Sequence, residues 1–471
     1  MASFIQNSAV NSVGLEQQVF DFSDVGLPTQ IPINPDVNGN NTFTRVSNFA
    51  WYGAALAQDG NIYAPPYGAT QILGINTKTK KAFTIDVGAH TISQNDQTYG
   101  SFVAHPNGKL YATPMDAGRI LEFDPINKTT STFGLGSVPA GDWGKGIVAP
   151  NGYIYCVPEN SNQVLKIDVY NRTVSAFGDT GYIGIGADSN QSNGDTGSAK
   201  FVGGVLVGDK IYMPPQYARD SLATGNVSPN QQWIVGIIDT SNDTLDVSSF
   251  KFGEAELPQI DDNAGTANNG GNYLTGNGMT YVFAGAVKGI DGKIYCLPYA
   301  YPYVCVIDPL NNTISRMNNN DLGTVTGTGS STVFGRNDRP GGGNSYEDDS
   351  QCNGGVVAAN GKIYAYIDGN NLNSPANNSV VEIDTENASW KYIPLPVSMD
   401  GELWDNTFWY PVTILGPDGG IYGIPYFQNY STTSGDQGGN ITYGDTPCVW
   451  HPPSASLPAP RILNSNQNGI F

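Results

Sequence analysis

The feature that most constrains this chain is a short motif, Gly-x-Ile-Tyr and its close variants, which returns along the sequence with tyrosines at Tyr63, Tyr111, Tyr155, Tyr212, Tyr295, Tyr364 and Tyr422. The stretch 99–133 shows what surrounds each tyrosine. A strand over 101–105 meets Asn107-Gly108, a pair with easy access to positive φ that suits a tight hairpin turn. Residues 109–113 return, Pro114 ends that strand, 119–124 form a third, and a turn at 125–128 leads into a fourth over 130–133. A lone four-stranded sheet cannot bury both faces, so the copies must stack on one another.

Two offsets hold the copies in register. Eleven or twelve residues before the tyrosine stands Tyr52, Tyr99, Trp143, Phe201, Phe283 or Tyr410, with Cys352 in the remaining copy. Thirteen residues after it, a polar residue ends the third strand at Asn76, Asp124, Asp168 and Asp308; the offset stretches to Asp239, Asp384 and His451 in the others. Repeats of this size and pattern predict an all-β fold, a seven-bladed β-propeller of four-stranded antiparallel blades. The inner strands carry small residues, such as Gly53-Ala54-Ala55 and Gly144 to Gly146, as crowding around an axis requires. The seven tyrosines read as core between blades.

The division expected is an N-terminal arm over 1–50, the propeller over 51–451 and a Pro-rich tail over 452–471. The last copy lacks an outer strand, since 452–460 is too proline-rich for a ladder. The alternating stretch 17–23 is therefore expected to supply it and close the ring by backbone hydrogen bonds.

Composition excludes several functions. With 22 Lys and Arg against 42 Asp and Glu, a net charge of −20 argues against nucleic acid or anionic lipid as partner. No apolar run reaches membrane-spanning length, and residues 1–10 show neither a basic nor an apolar leader region, so no membrane insertion and no classical export are expected. Five cysteines make no disulfide framework, although Cys296 and Cys305 could face each other across one hairpin. The Asn-x-Thr/Ser sites at Asn127, Asn171, Asn242, Asn311 and Asn387 all fall in the turn between third and fourth strands, where Asn and Thr bond nearby backbone.

Loop length separates two ends of the propeller. The connections between strands one and two and between three and four are tight. Every long insertion falls at the other end, over 180–199, 216–232, 254–277, 318–351, 368–378 and 427–446. Long loops on a rigid scaffold are where binding concentrates. The aromatics in or directly beside them, Tyr182, Tyr217, Trp233, Tyr273, Tyr346, Tyr426 and Tyr430, are the candidate binding residues, as contact area for a protein or glycan. Lysines at the tight turns, including Lys109, Lys210 and Lys293, suggest a mildly basic end opposite an acidic loop end. No cofactor is expected. Glu347, Asp348 and Asp349 could ligate Ca²⁺ through their oxygens, but they lack EF-hand spacing, and a solvated acidic loop is the plainer reading.

The pattern Asn/Asp-Gly-x-Ile-Tyr-x-x-Pro followed by Val-x-x-Ile-Asp resembles the repeats of NHL, YVTN and SMP-30-like propellers over about 420 residues. That resemblance implies fold more than function. Enzymes of the SMP-30 and lyase kinds gather carboxylates, asparagines or histidines at the central channel. This chain has three histidines, His90, His105 and His451. The reading is a non-catalytic structural or binding propeller, with an SMP-30-like metal-dependent hydrolase or lyase as the alternative. Composition rich in Asn, Gly, Ser, Thr and Tyr resembles bacteriophage surface and appendage proteins. A virion location is therefore expected, otherwise a cytoplasmic one, with partners among particle proteins or a host surface glycan or protein.

Overall fold

The computed structural model describes residues 29–30, 51–88, 98–139, 141–180, 200–219 without 202, 234–252, 279–298 without 282, 304–317, 351–368 without 353, 379–394, 412–424, 448–450 and 452. They form an all-β propeller. Six sheets are four-stranded and antiparallel, one is five-stranded, and a two-stranded ribbon stands apart. In each repeat the tyrosine sits on the second strand, as in Leu110–Pro114 between Tyr99–Ala104 and Arg119–Asp124.

The count of seven four-stranded blades is corrected to six, because the Tyr364 repeat builds the five-stranded sheet. Its inner edge is broken into Gln351–Cys352 and Val356–Val357, both paired with Ile363–Asp368. Gly354 lies in the break at φ 75°, a conformation open to glycine. Inner strands of other blades absorb a register shift at the corresponding place, between Tyr99 and Phe102, Trp143 and Gly146, and Phe283 and Gly285, without breaking.

The last sheet runs in the order Thr29–Gln30, Cys448–Trp450, Ile421–Ile424, Val412–Leu415. Thr29 pairs with Val449 and Gln30 with Cys448, so an N-terminal segment forms the outer strand of the C-terminal sheet. The stretch 17–23, expected in that role, lies outside the described residues.

All seven repeat tyrosines are buried, none more than 6% exposed. Apolar clusters run from sheet to sheet, and one joins Trp51, Ile62 and Leu73 of the first blade to Ile414, Tyr422 and Val449 of the last. Close approach at the axis needs glycine: a Cβ on Gly146 would stand 2.7 Å from Val103 of the preceding blade. The aromatic expected at Tyr52 is instead Trp51. Its indole N–H donates to the Gln71 carbonyl at 2.9 Å, as Trp143 donates to Gln163 at 2.7 Å, while Tyr52 is only partly buried.

Candidate functional site at the loop end

The two ends of the propeller satisfy their polar groups differently. At the tight-turn end, each third-to-fourth strand turn opens on an Asx bond; the Asp124 carboxylate, for example, accepts from the N–H groups of Ile126 and Asn127. Asn127, Asn171, Asn311 and Asn387 also donate their side-chain amides to the turn aspartates, which is the structural use of those Asn-x-Thr/Ser sites. The turn then passes through a left-handed residue, at Lys80, Lys128, Arg172, Asp243, Asn312 and Ala388, with φ between 48° and 57°. Such a backbone costs about 1–2 kcal/mol for a residue with a Cβ.

In four copies the left-handed residue reaches the preceding blade. Lys128 pairs with Asp59 at 2.8 Å and meets the Tyr63 hydroxyl. Arg172 pairs with Glu122 at 2.9 Å, and Asp243 accepts from Tyr155 at 2.7 Å and from Lys166 at 2.6 Å. Lys80 of the first blade pairs with Asp418 and Tyr422 of the last. Burial would raise the carboxyls of Asp59, Glu122 and Asp243, but hydrogen bonds and charge from these cations hold all three below their ordinary values.

The expected basic face is therefore corrected. Lys109, Lys128, Arg172 and Lys362 are matched at the same end by Glu122, Asp59, Glu382 and Asp384. His105 is structural too. Its Nδ1 accepts from the Asn107 N–H, which leaves Nε2–H to donate to the Gly152 carbonyl of the next blade at 3.0 Å. Cys296 and Cys305 stand directly opposite in register, buried and not joined by a disulfide, and burial pushes the Cys296 thiol well up.

At the loop end the chain places, four residues after each repeat tyrosine, Tyr67, Met115, Glu159 and Gln216 in the first four blades, all buried. Backbone bridges tie them in pairs. The Thr98 N–H donates to the Tyr67 carbonyl at 2.8 Å and its carbonyl accepts from the Met115 N–H at 3.0 Å; Lys200 joins Glu159 to Gln216 in the same way, both bonds at 2.9 Å. Glu159 and Gln216 thus occupy equivalent positions in adjacent blades.

Their side chains are not satisfied. Among the described residues, the buried side-chain polar atoms without a hydrogen-bond partner are Glu159 Oε2, Gln216 Oε1 and the Tyr99 hydroxyl, all at the loop end. Buried acceptors of this kind cost roughly 1–3 kcal/mol each and call for an explanation. Lys145, buried on the inner strand Trp143–Val148, places its ammonium 6.0 Å from the ring centre of Tyr52, which packs on Tyr67 with centroids 5.3 Å apart.

Electrostatics follow from that burial. Glu159 is pushed up to about 7 by burial and by the Asp142 charge, against the pull of Lys145. Burial drives Lys145 well below its ordinary value despite Glu159, and takes Lys200 down to about 8 against Asp179. Lys200 is held by the carbonyls of Asn160 and Ser161 at 3.3 and 3.2 Å.

Of the residues expected to bind, Tyr182, Trp233, Tyr273, Tyr346, Tyr426 and Tyr430 lie outside the described residues, as do Glu347, Asp348 and Asp349. Tyr217 is placed by its backbone alone, in the ribbon of Tyr217–Arg219 against Met279–Tyr281, opposite Tyr281. Among the described residues no group of three His, Cys, Asp or Glu side chains could hold a metal ion, and no helix is long and apolar enough to cross a membrane. Lys145 was legible in principle: it interrupts the small-residue inner strand as Gly144-Lys145-Gly146, where other copies keep the axis clear.

No protein-family model matches the chain, and no curated protein matches it. Solved structures of similar shape include a streptogramin B lyase, at 12% identity and TM-score 0.47, covering 86% of this chain and 95% of the lyase. A second is the extracellular domain of a putative hybrid two-component system from B. thetaiotaomicron, at 9% identity and TM-score 0.48, covering 89% of this chain and 44% of that one. Virginiamycin B lyase from Staphylococcus aureus is similar at 12% identity and TM-score 0.44, covering 76% and 89%.

Proposed function

We propose that this protein is a non-catalytic binding propeller that recognises its partner through the loop end and uses the turn end for closure. The five-stranded sheet is taken as its seventh blade, with the inner strand split at Gly354. The observation that carries the reading is the placement of all three unpartnered buried polar atoms of the described residues at the loop end. A rigid scaffold that leaves acceptors unsatisfied in one place is preorganised for a ligand there. Among the described residues the exposed large apolar side chains are Ile126, Tyr170, Ile290 and Leu310, all on tight turns, which supports attachment to an assembly by the turn end. Composition is the support for placing that assembly on a virus particle.

A second reading, hydrolysis or elimination at the propeller channel, is favoured by one observation: Glu159, raised by burial to about 7, is suited to proton transfer near neutral pH, and the charge of Lys145 acts on it. Paired variants separate the readings. Glu159→Gln and Gln216→Met should weaken capture of the natural partner, while Asp59→Asn and Asp418→Asn should lower stability and leave capture intact. Capture lost in the turn-end pair alone would overturn the orientation. Turnover of a captured small molecule, abolished by Glu159→Gln, would replace the binding reading with the enzymatic one.

A further inference from the structure

The chemistry of the loop-end site narrows what can occupy it, on the premise that this end binds at all. Two acceptors, Glu159 Oε2 and Gln216 Oε1, lie on equivalent positions of neighbouring blades, each on a residue only 9% exposed. They require donors. A free anion would bring further acceptors to oxygens that already lack donors, and Lys145, the buried amine near Glu159, can pair with a hydroxyl whether or not it carries its proton. A neutral hydroxyl meets both demands, since it donates to a carboxylate or amide oxygen and accepts from an ammonium.

The wall of the site fits the same ligand. Tyr52 is partly exposed beside Lys145, braced from behind by the buried Tyr67 ring. An aromatic face next to fixed polar groups offers apolar contact to the C–H face of a ring that carries hydroxyls at its edge. Met115, at the equivalent position of the second blade, is tied to Tyr67 through Thr98 and extends the apolar side of the ring of residues. Tyr67 and Met115 on the first two blades thus take the positions that Glu159 and Gln216 take on the next two.

We infer that the loop-end mouth formed by Tyr52, Lys145, Glu159 and Gln216 binds a neutral, hydroxyl-rich ring, a saccharide unit, with Glu159 and Gln216 accepting from its hydroxyls and Tyr52 packing on its face.

The test uses the full chain. Neutral mono-, di- and trisaccharides of hexoses, pentoses and N-acetylhexosamines are screened by calorimetry or on an immobilised array, beside sialylated and sulfated glycans and simple alkylamines. Wild type is compared with Glu159→Gln, Gln216→Met and Tyr52→Ala, each checked for an unchanged β-sheet circular dichroism spectrum. The expected result is binding of one neutral saccharide class, weakened at least tenfold by Gln216→Met and by Tyr52→Ala, and in Glu159→Gln a loss relative to wild type that is larger at pH 8 than at pH 5. A neutral saccharide bound equally by wild type and all three variants overturns the site. Binding confined to the anionic glycans or the amines, and lost in the variants, overturns the ligand class while leaving the loop end as the binding end. No binding of any probe overturns the class as well, and capture of the natural partner by the paired variants above then decides the end separately.

Discussion

Lys80 and Asp418 form an ion pair across 338 residues of sequence, joining the turn of the first blade to the hairpin of the last. Each of the other three turn-end contacts of this kind joins a blade to the one before it in sequence. Together with the pairing of Thr29–Gln30 on Cys448–Trp450 and the shared core of Trp51 and Tyr422, it makes the first and last blades neighbours like any others.

Lys80→Met should therefore lower stability by about 1 kcal/mol, the scale for partly exposed pairs, and should do so through the seam. Hydrogen exchange measured on peptides of the first and last blades should rise together in this variant. Exchange confined to the first blade would show that the pair does not close the ring.

Tyr155→Phe removes a hydroxyl that donates to Asp243 and lies 3.3 Å from the Thr240 carbonyl, leaving the ring in the core. The expected cost is about 1–2 kcal/mol, against roughly 3–5 for Tyr155→Ala, which also opens a cavity. Urea unfolding of both variants checks the ratio, and equal losses would mean the hydroxyl network contributes most of what the tyrosine does.

Acid and alkaline limbs of stability should have different origins. Asp59, Glu122, Asp243 and Glu382 are held below their ordinary values, so the unfolded chain binds more protons than the folded one as pH falls. Their contribution is complete above the unfolded carboxylate range of about 4 to 4.5 and is lost as pH drops through the folded values. Glu159 has the opposite sign. Raised to about 7 from 4.5, it binds more protons folded than unfolded, so its contribution is complete below 4.5 and lost as pH rises through 7. Melting curves from pH 3 to pH 8 should show Glu122→Gln flattening the acid limb and Glu159→Gln flattening the fall between pH 5 and pH 8. A Glu159→Gln curve parallel to wild type over that range would remove the carboxyl from the balance.

The architecture was legible because its signal is local and repeated: Asn107-Gly108 dictates a hairpin, Tyr111 a packed second strand, and Asp124 to Lys128 a turn whose Asx bonds need no tertiary help. What was not legible depends on partners distant in sequence. Nothing in Lys128 or Lys80 announces that it will meet Asp59 or Asp418, so a charged turn end reads as basic until the blades are assembled. Trp51 and Tyr52 differ by one residue, and the indole bond to Gln71 decides between them. Thr29–Gln30 is too short and too close to Pro28 and Pro32 to read as a strand. The loop aromatics were chosen by loop length alone, whereas Glu159 and Gln216 sit just past the second-strand prolines, where a repeat-by-repeat comparison of the position after the tyrosine would have exposed them.

The central claim is that the turn end is built for stability and the loop end keeps unsatisfied acceptors for a ligand. The most direct measurement is the urea midpoint of Gln216→Met beside that of Asp59→Asn, without ligand at pH 7. Removing a buried amide oxygen that has no partner, in favour of an apolar side chain of similar length, should raise the midpoint, as expected where function is held at a cost in stability, whereas Asp59→Asn should lower it by weakening the contact with Lys128. A fall in both would contradict the account, because Gln216 would then be contributing to the fold and its side chain would not be held in reserve for a partner.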